Sequence, residues 1–209
     1  LINQNIVITF SEQISTSNFT YTISPSLTNQ TASWNSEHTE VTISHSDFAS
    51  STTYTVQVTG AKDAVGNQLV SGSVPNPWSF TSADIIGPYI SGSSPTNQST
   101  GISTTSSIVI TFSEAMNQTS LTYTTNPNPG NWSISWNSGS TIATFSHSDF
   151  EENTDYTFKI TSARDLSGND LAGGTYVLAF RTGDFTNPQI TAANPESGAN
   201  TILVSQDIV

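Results

Sequence analysis

The chain of 209 residues contains no cysteine. Disulfide staples, thiol nucleophiles and thiolate metal sites are therefore excluded. The compartment stays open on this ground alone, because secreted chains need not carry disulfides. Basic residues are almost as scarce. Lys62, Lys159, Arg164 and Arg181 stand against 16 carboxylates, giving a formal net charge of −12. Four cations cannot neutralise a row of phosphates, so no nucleic acid is expected as a partner. An anionic membrane surface is disfavoured for the same reason. A cation such as Ca²⁺ is compatible with this charge. Hydrophobic residues reach only 34%, and no run has the length of a membrane span, so no membrane insertion is expected of this segment. A signal-peptide pattern is absent as well.

Ser and Thr make up roughly a third of the chain, well above ordinary usage. The apolar residues are largely β-branched or aromatic, which favours strands. No stretch of ten residues carries a helical stripe.

The sequence repeats itself. TFSE at Thr9–Glu12 returns at Thr111–Glu114, a shift of 102 residues. SWNS at Ser33 and SHSDF at Ser44 return at Ser135 and Ser146 with the same shift. AKDAVGN from Ala61 answers ARDLSGN from Ala163. After FTSAD and FRTGD the shift falls to 100, and Pro88, Ile90 and Pro95 then match Pro188, Ile190 and Pro195. LVSQDIV at Leu203–Val209 matches LINQNIV at Leu1–Val7, the beginning of a third copy. The expected division is residues 1–86, a first domain lacking its first strand; 87–186, a second domain; and 187–209, the opening of a third. The chain reads as a window of a longer protein.

Within each copy the period is two. Ile6, Ile8 and Phe10 share one face, as do Tyr54, Val56 and Val58. Their counterparts are Ile108, Ile110 and Phe112, then Tyr156, Phe158 and Ile160. Trp78 with Phe80, and Leu178 with Phe180, supply the last strand. Such one-sided alternation predicts two facing antiparallel sheets, each with one wet face. Phe48 precedes Tyr54, and Phe150 precedes Tyr156, by six residues across a polar turn. That spacing predicts a tyrosine corner, with the hydroxyl bonded back to the turn.

His45 and His147 recur beside Asp47 and Asp149. Catalysis would require a nucleophile and an oxyanion site converging on the ring, and no G-x-S-x-G elbow is present. A structural role in the corner is expected, and no enzyme activity. His38 is expected in a loop. KDAVGN and RDLSGN lack the alternating ligands and closing Glu of a calcium loop. They predict turns in which Asp63 or Asp165 binds backbone and Gly66 or Gly168 takes positive φ. Glu12 and Glu114 follow strands, and Asp84 and Asp184 sit at the joints between copies. These four are the candidate metal ligands, for Ca²⁺ stiffening the joints; no other cofactor is expected. N-x-S/T sequons stand at Asn18, Asn29, Asn97, Asn117 and Asn131. Asn29 and Asn131 share one repeat position, and alternation in NWSISW sets Asn131 opposite Trp132, Ile134 and Trp136, so that if these face the core Asn131 faces water, as a glycan requires. Trp34 and Trp136 are expected in the core; Trp78 and Trp132 are the candidates for exposure.

ITFSE, the Phe–Tyr corner, AKDAVGNQL, the closing WSFT and the joint from Asp84 to Pro88 resemble, in order and spacing, the bacterial Ig-like repeats of S-layer and long cell-surface proteins. The resemblance covers nearly the whole chain. It implies tandem immunoglobulin-like, fibronectin-III-like β-sandwiches, an extracellular location and a non-catalytic role as spacer or assembly module. The expected function is a structural repeat of a surface stalk, S-layer or filament, partnered by neighbouring repeats or copies of itself. Residues 188–209 could complete the first sandwich of the next subunit by strand addition. The alternative is an adhesin, or the carbohydrate-binding accessory module of a larger extracellular protein.

Overall fold

The computed structural model describes residues 2–194 and 196–200. The LVSQDIV match and Pro195 lie outside them. Among the described residues there is no α-helix; fourteen strands and two three-residue 3-10 turns make up the regular structure. No helix is long and apolar enough to cross a membrane, which says nothing about a β-barrel. By its contacts the chain forms two compact units. One runs through Tyr89 and includes Glu114–Leu121 and Ser162–Gly174; the other comprises Ile90–Ser113, Thr122–Thr161 and the chain from Thr175. Phe10 and Phe112 thus belong to different units.

The first unit contains β1 (Ile6–Thr9), β2 (Thr20–Ser24), β3 (Thr31–Trp34), β4 (Glu40–Ser44), β5 (Thr53–Gly60) and β6 (Trp78–Thr81). They form two three-stranded sheets, β1-β4-β3 and β2-β5-β6. The register pairs Ile6 with Ile43 and Ile8 with Val41, and Tyr54 with Phe80. Period-two alternation places Val41, Ile43, Tyr54 and Val56 in the buried core. Phe10, Phe19, Trp34 and Trp78 pack around it.

The remaining strands are β7 (Ile90–Ser94), β8 (Ser99–Ile102), β9 (Ile108–Phe112), β10 (Thr122–Asn126), β11 (Ser133–Trp136), β12 (Ile142–Ser146), β13 (Asp155–Ser162) and β14 (Tyr176–Thr182). They build four-stranded sheets, β11-β12-β9-β7 and β10-β13-β14-β8. Here β7 joins β9 antiparallel and β8 joins β14 parallel. Ile108, Ile110, Phe145, Phe158 and Leu178 are fully buried. The immunoglobulin-like sandwich expected from alternation is therefore present, written twice along the chain.

Both tyrosine corners are formed. The Tyr54 hydroxyl accepts the Ala49 N–H at 3.0 Å, and that of Tyr156 accepts the Glu151 N–H at 2.9 Å. Each ring is buried and packs against Phe48 and Phe80, or Phe150 and Phe180. Three expectations fail at or beside edge strands, the first being that Trp78 on β6 is half-buried instead of exposed. Ile134 is 37% exposed instead of inward, because β11 is the outer strand of its sheet. Trp132 is half-buried instead of exposed, held against Tyr123, His147 and Phe158, with its Nε1–H donated to Asn128.

Removing the corner hydroxyl leaves a backbone donor without its acceptor. Tyr54→Phe and Tyr156→Phe are expected to lower stability by about 1–2 kcal/mol each. Ile43→Ala, which empties core space, is expected to cost about 2–5 kcal/mol. Urea unfolding followed by tryptophan fluorescence reads all three.

Candidate functional site

Each copy has the same Asp-anchored loop. Asp63 Oδ1 accepts the N–H groups of Val65 and Asn67, and Oδ2 accepts the Asn67 side chain. Asp165 repeats this with Ser167 and Asn169. Gly66 and Gly168 adopt φ of 100° and 91°, a region that costs a side chain dearly and glycine little. Burial opposes ionisation of Asp63, but the donors from Asn67, Val65 and Gly66 hold its carboxyl below the ordinary value. The segments after β1 and β9 bridge to these loops, Ile14 to Asp63 and Met116 to Asp165.

The chain from Asp84 to Pro88 lies against the second of these loops, within the first compact unit. Asn169 Nδ2–H reaches the carbonyls of Asp84 at 3.4 Å and Ile86 at 3.3 Å. The Ala172 N–H donates to the Pro88 carbonyl at 2.7 Å. Gly87 approaches so closely that a Cβ there would sit 2.2 Å from the Asp170 carbonyl oxygen. The sequence match of Gly87 in the second joint is Asn187.

This docking gathers three carboxylates. One ligand oxygen each from Asp84, Glu114 and Asp165 lies within 4.8 Å of the others, and Asp165 is only 2% exposed. Two of the four expected ligands, Asp84 and Glu114, thus come together. Glu12 and Asp184 are exposed and outside the group. Sequence reasoning missed Asp165 because its role in the turn accounted for it fully. Its shared repeat spacing with Glu114 was the available signal. Asp84 is held below its ordinary value by the Ile86 N–H and the Ser50 hydroxyl, against the pull of burial. Glu114 is pushed up, first by burial and then by the charges of Asp84 and Asp165. Chemically, the group is a compact oxygen-donor set of the kind a hard cation such as Ca²⁺ takes, and without a cation its charges repel.

The other sequence candidates resolve as structure. His45 Nδ1 and Nε2 face the carbonyls of Ser46 and Gln4, and His147 faces Ser148 and Ser106 in the same way. Each ring packs at a tilt against the corner phenylalanine, and Asp47 and Asp149 are exposed. His38 sits in a tight turn with φ of 53°, matched by Ser140 at the same value. All five sequon asparagines are exposed. Asn29 and Asn131 share a left-handed backbone, and the Asn131 side-chain nitrogen donates to Ser148 Oγ. Trp34 and Trp136 are half-buried, stacked on Phe10 and Phe112.

The folded state holds a proton on Glu114 to higher pH than the unfolded chain does. Its contribution to stability therefore falls as pH rises above the ordinary carboxylate range. In metal-free buffer near neutrality, Glu114→Gln is expected to raise the melting temperature by a few degrees. The gain should vanish below about pH 4, where the carboxyl is protonated in both states. Calorimetry across pH checks both limbs.

No curated protein sequence matches the chain. Among solved structures, similarity extends to an S-layer protein, rSbsC(31-844), at 15% identity and a TM-score of 0.29, over 86% of this chain and 24% of that one. A second is the Bacteroides ovatus mixed-linkage glucan utilization locus protein SGBP-B, in complex with a mixed-linkage heptasaccharide. It shows 16% identity and a TM-score of 0.28, over 87% and 43% of the two chains. A third is the titin pair z1z2 in complex with telethonin, at 9% identity and a TM-score of 0.31, over 88% and 100%. The chain spans about a quarter of the S-layer protein and less than half of SGBP-B. Likenesses this low carry no functional argument. The family profile does: it matches twice in succession, over residues 1–82 and 84–182. With two sandwiches built on one plan, the chain belongs to the bacterial Ig-like domain family.

Proposed function

We propose that the chain is a structural, non-catalytic segment of an extracellular surface protein, such as a stalk, surface layer or filament. The observation that carries this reading is the tiling of residues 1–182 by two successive family-matched domains. The division into residues 1–86, 87–186 and the start of a further repeat belongs to the same proposal. Tandem sandwiches extend by stacking further units, and in a filament consecutive copies join by strand complementation. Within this reading, the Asp84–Glu114–Asp165 group is the place where Ca²⁺ would act, and the exposed sequon asparagines are where glycans would attach.

The second reading, an adhesin or carbohydrate-binding accessory module, draws on the half-buried Trp78, which lines a groove in the first unit. Stacking of sugars on its ring would quench its fluorescence and be lost in Trp78→Ala.

These 209 residues contain no cysteine, so a thiol introduced among them is read as the labelling gained over the unaltered protein. Ser138→Cys, at an exposed turn, placed in the native protein of the host cell, is expected to react with a membrane-impermeant maleimide on intact cells. Reaction only after lysis would contradict a surface location.

A further inference from the structure

The five N-x-S/T asparagines are all exposed, but the fold leaves their chemistry in different states. Attaching a sugar to such a site uses two groups. The carboxamide nitrogen becomes bonded to the sugar, and the hydroxyl two residues on marks the site for recognition. At four of the five sites a hydrogen bond within the fold ties up one or both. Asn18 donates its side-chain N–H to Ser15 Oγ at 3.0 Å, and the Thr20 hydroxyl is bonded to that of Thr59 at 3.0 Å. Asn97 Oδ1 accepts the Ala179 N–H at 2.9 Å, and Ser99 donates to the Thr96 carbonyl at 2.7 Å. Asn117 Oδ1 accepts the hydroxyl of Thr119, its own marker, at 2.8 Å, and the Thr119 N–H as well. Asn131 donates its side-chain N–H to Ser148 Oγ at 2.7 Å.

Asn29 is different. Among the described residues neither its carboxamide nor the Thr31 hydroxyl has a hydrogen-bond partner, and Asn29, Gln30 and Thr31 are all exposed. Asn29 and Asn131 occupy one repeat position with nearly the same left-handed backbone, φ of 56° and 53°. Their unlike bonding has a local cause. The Ser46 N–H donates to the Thr28 carbonyl just as the Ser148 N–H donates to the Gly130 carbonyl. The two hydroxyls then diverge. That of Ser148 takes the Asn131 side chain, whereas that of Ser46 accepts the Thr28 N–H at 3.2 Å, leaving Asn29 unengaged. The loop between β2 and β3 is nonetheless fixed in place. Leu27 packs against the first core, and Gln30 donates its side-chain N–H to the Leu27 carbonyl at 2.8 Å. Asn29 is thus held at the tip of a surface loop, where access for a modifying enzyme is greatest.

We propose that Asn29 is the glycan acceptor of this chain, taking a sugar from a glycosyl diphosphate donor, and that the other four asparagines stay unmodified. This rests on the reading of the exposed sequon asparagines as glycan sites and narrows it to one residue. The Asn29 nitrogen attacks the anomeric carbon of the donor. An N–C bond forms there as the C–O bond to the diphosphate breaks, the diphosphate leaves with the bonding electron pair, and one proton departs from the nitrogen. The side chain remains an amide, and nothing is oxidised or reduced. Because the fold makes the selection, Asn131 at the equivalent position serves as the internal control.

The test takes the full chain from its own host cells and locates attached sugar by mass spectrometry of its peptides with electron-transfer fragmentation. Glycan mass is expected on Asn29 and on none of Asn18, Asn97, Asn117 and Asn131. Thr31→Val keeps Asn29 and the exposed edge strand but deletes the marker hydroxyl; it and Asn29→Gln are each expected to remove the whole glycan mass, and Asn131→Gln to remove none. The proposal is overturned if Asn29 is unmodified, if another of the five carries as much glycan as Asn29, or if Thr31→Val leaves the glycan in place. Glycan on a different sequon alone would defeat the choice of Asn29 and leave the glycan reading standing, whereas a chain without any glycan would defeat both.

Discussion

Burial of alternating side chains between two facing sheets is the constraint on which the molecule depends. A chain with 34% hydrophobic residues has little apolar area to spare. It concentrates that area on one face of each strand, while Ser and Thr occupy the other. Val41, Ile43 and Val56 in the first unit, and Ile108, Phe145 and Phe158 in the second, are wholly withdrawn from water. A shift of one residue in β4 would exchange Val41 and Ile43 for Glu40, Thr42 or Ser44, so the register there is strongly specified. The tyrosine corners add a polar lock to the apolar one, tying Tyr54 and Tyr156 to the backbone five residues upstream.

The same constraint explains how the two units differ. Among the described residues the first unit has two three-stranded sheets and the second two four-stranded ones. The first unit therefore leaves Phe10 and Trp78 partly wet, whereas their counterparts Phe112 and Leu178 are covered. The Asp84–Glu114–Asp165 group is a second, electrostatic imbalance: docking of the Asp84–Pro88 segment brings three like charges within 4.8 Å. Neutralisation of clustered carboxylates is a task that a bound cation can perform.

Most of the fold was legible in the sequence because a period of two and a duplication report directly on strands and on tandem units. The corners were legible because a Phe and a Tyr six residues apart across a polar turn have few other uses. The failures are equally physical. Alternation misplaced Ile134 because an edge strand has no obligatory inner face, and the lack of a counterpart in the first copy misplaced Trp132, because a lone tryptophan at a rim can fold back on Tyr123 and His147. Asp165 was assigned wholly to its turn, since the N–H groups of Ser167 and Asn169 account for it. Its second role appears only when Asp84, 81 positions earlier, is brought beside it. Glu12 and Asp184 occupy the repeat positions of Glu114 and Asp84 but are not joined by the remaining partners.

Amide hydrogen exchange on the dilute 209-residue chain tests most directly whether one sandwich plan is written twice and left open in its first copy. The account predicts matched protection at positions 102 residues apart through the central strands β4 and β12, and through β5 and β13, with β1 and β6 exchanging much faster than β9 and β14. Equal protection of β1 and β9, or unmatched protection in the central strands, would contradict it.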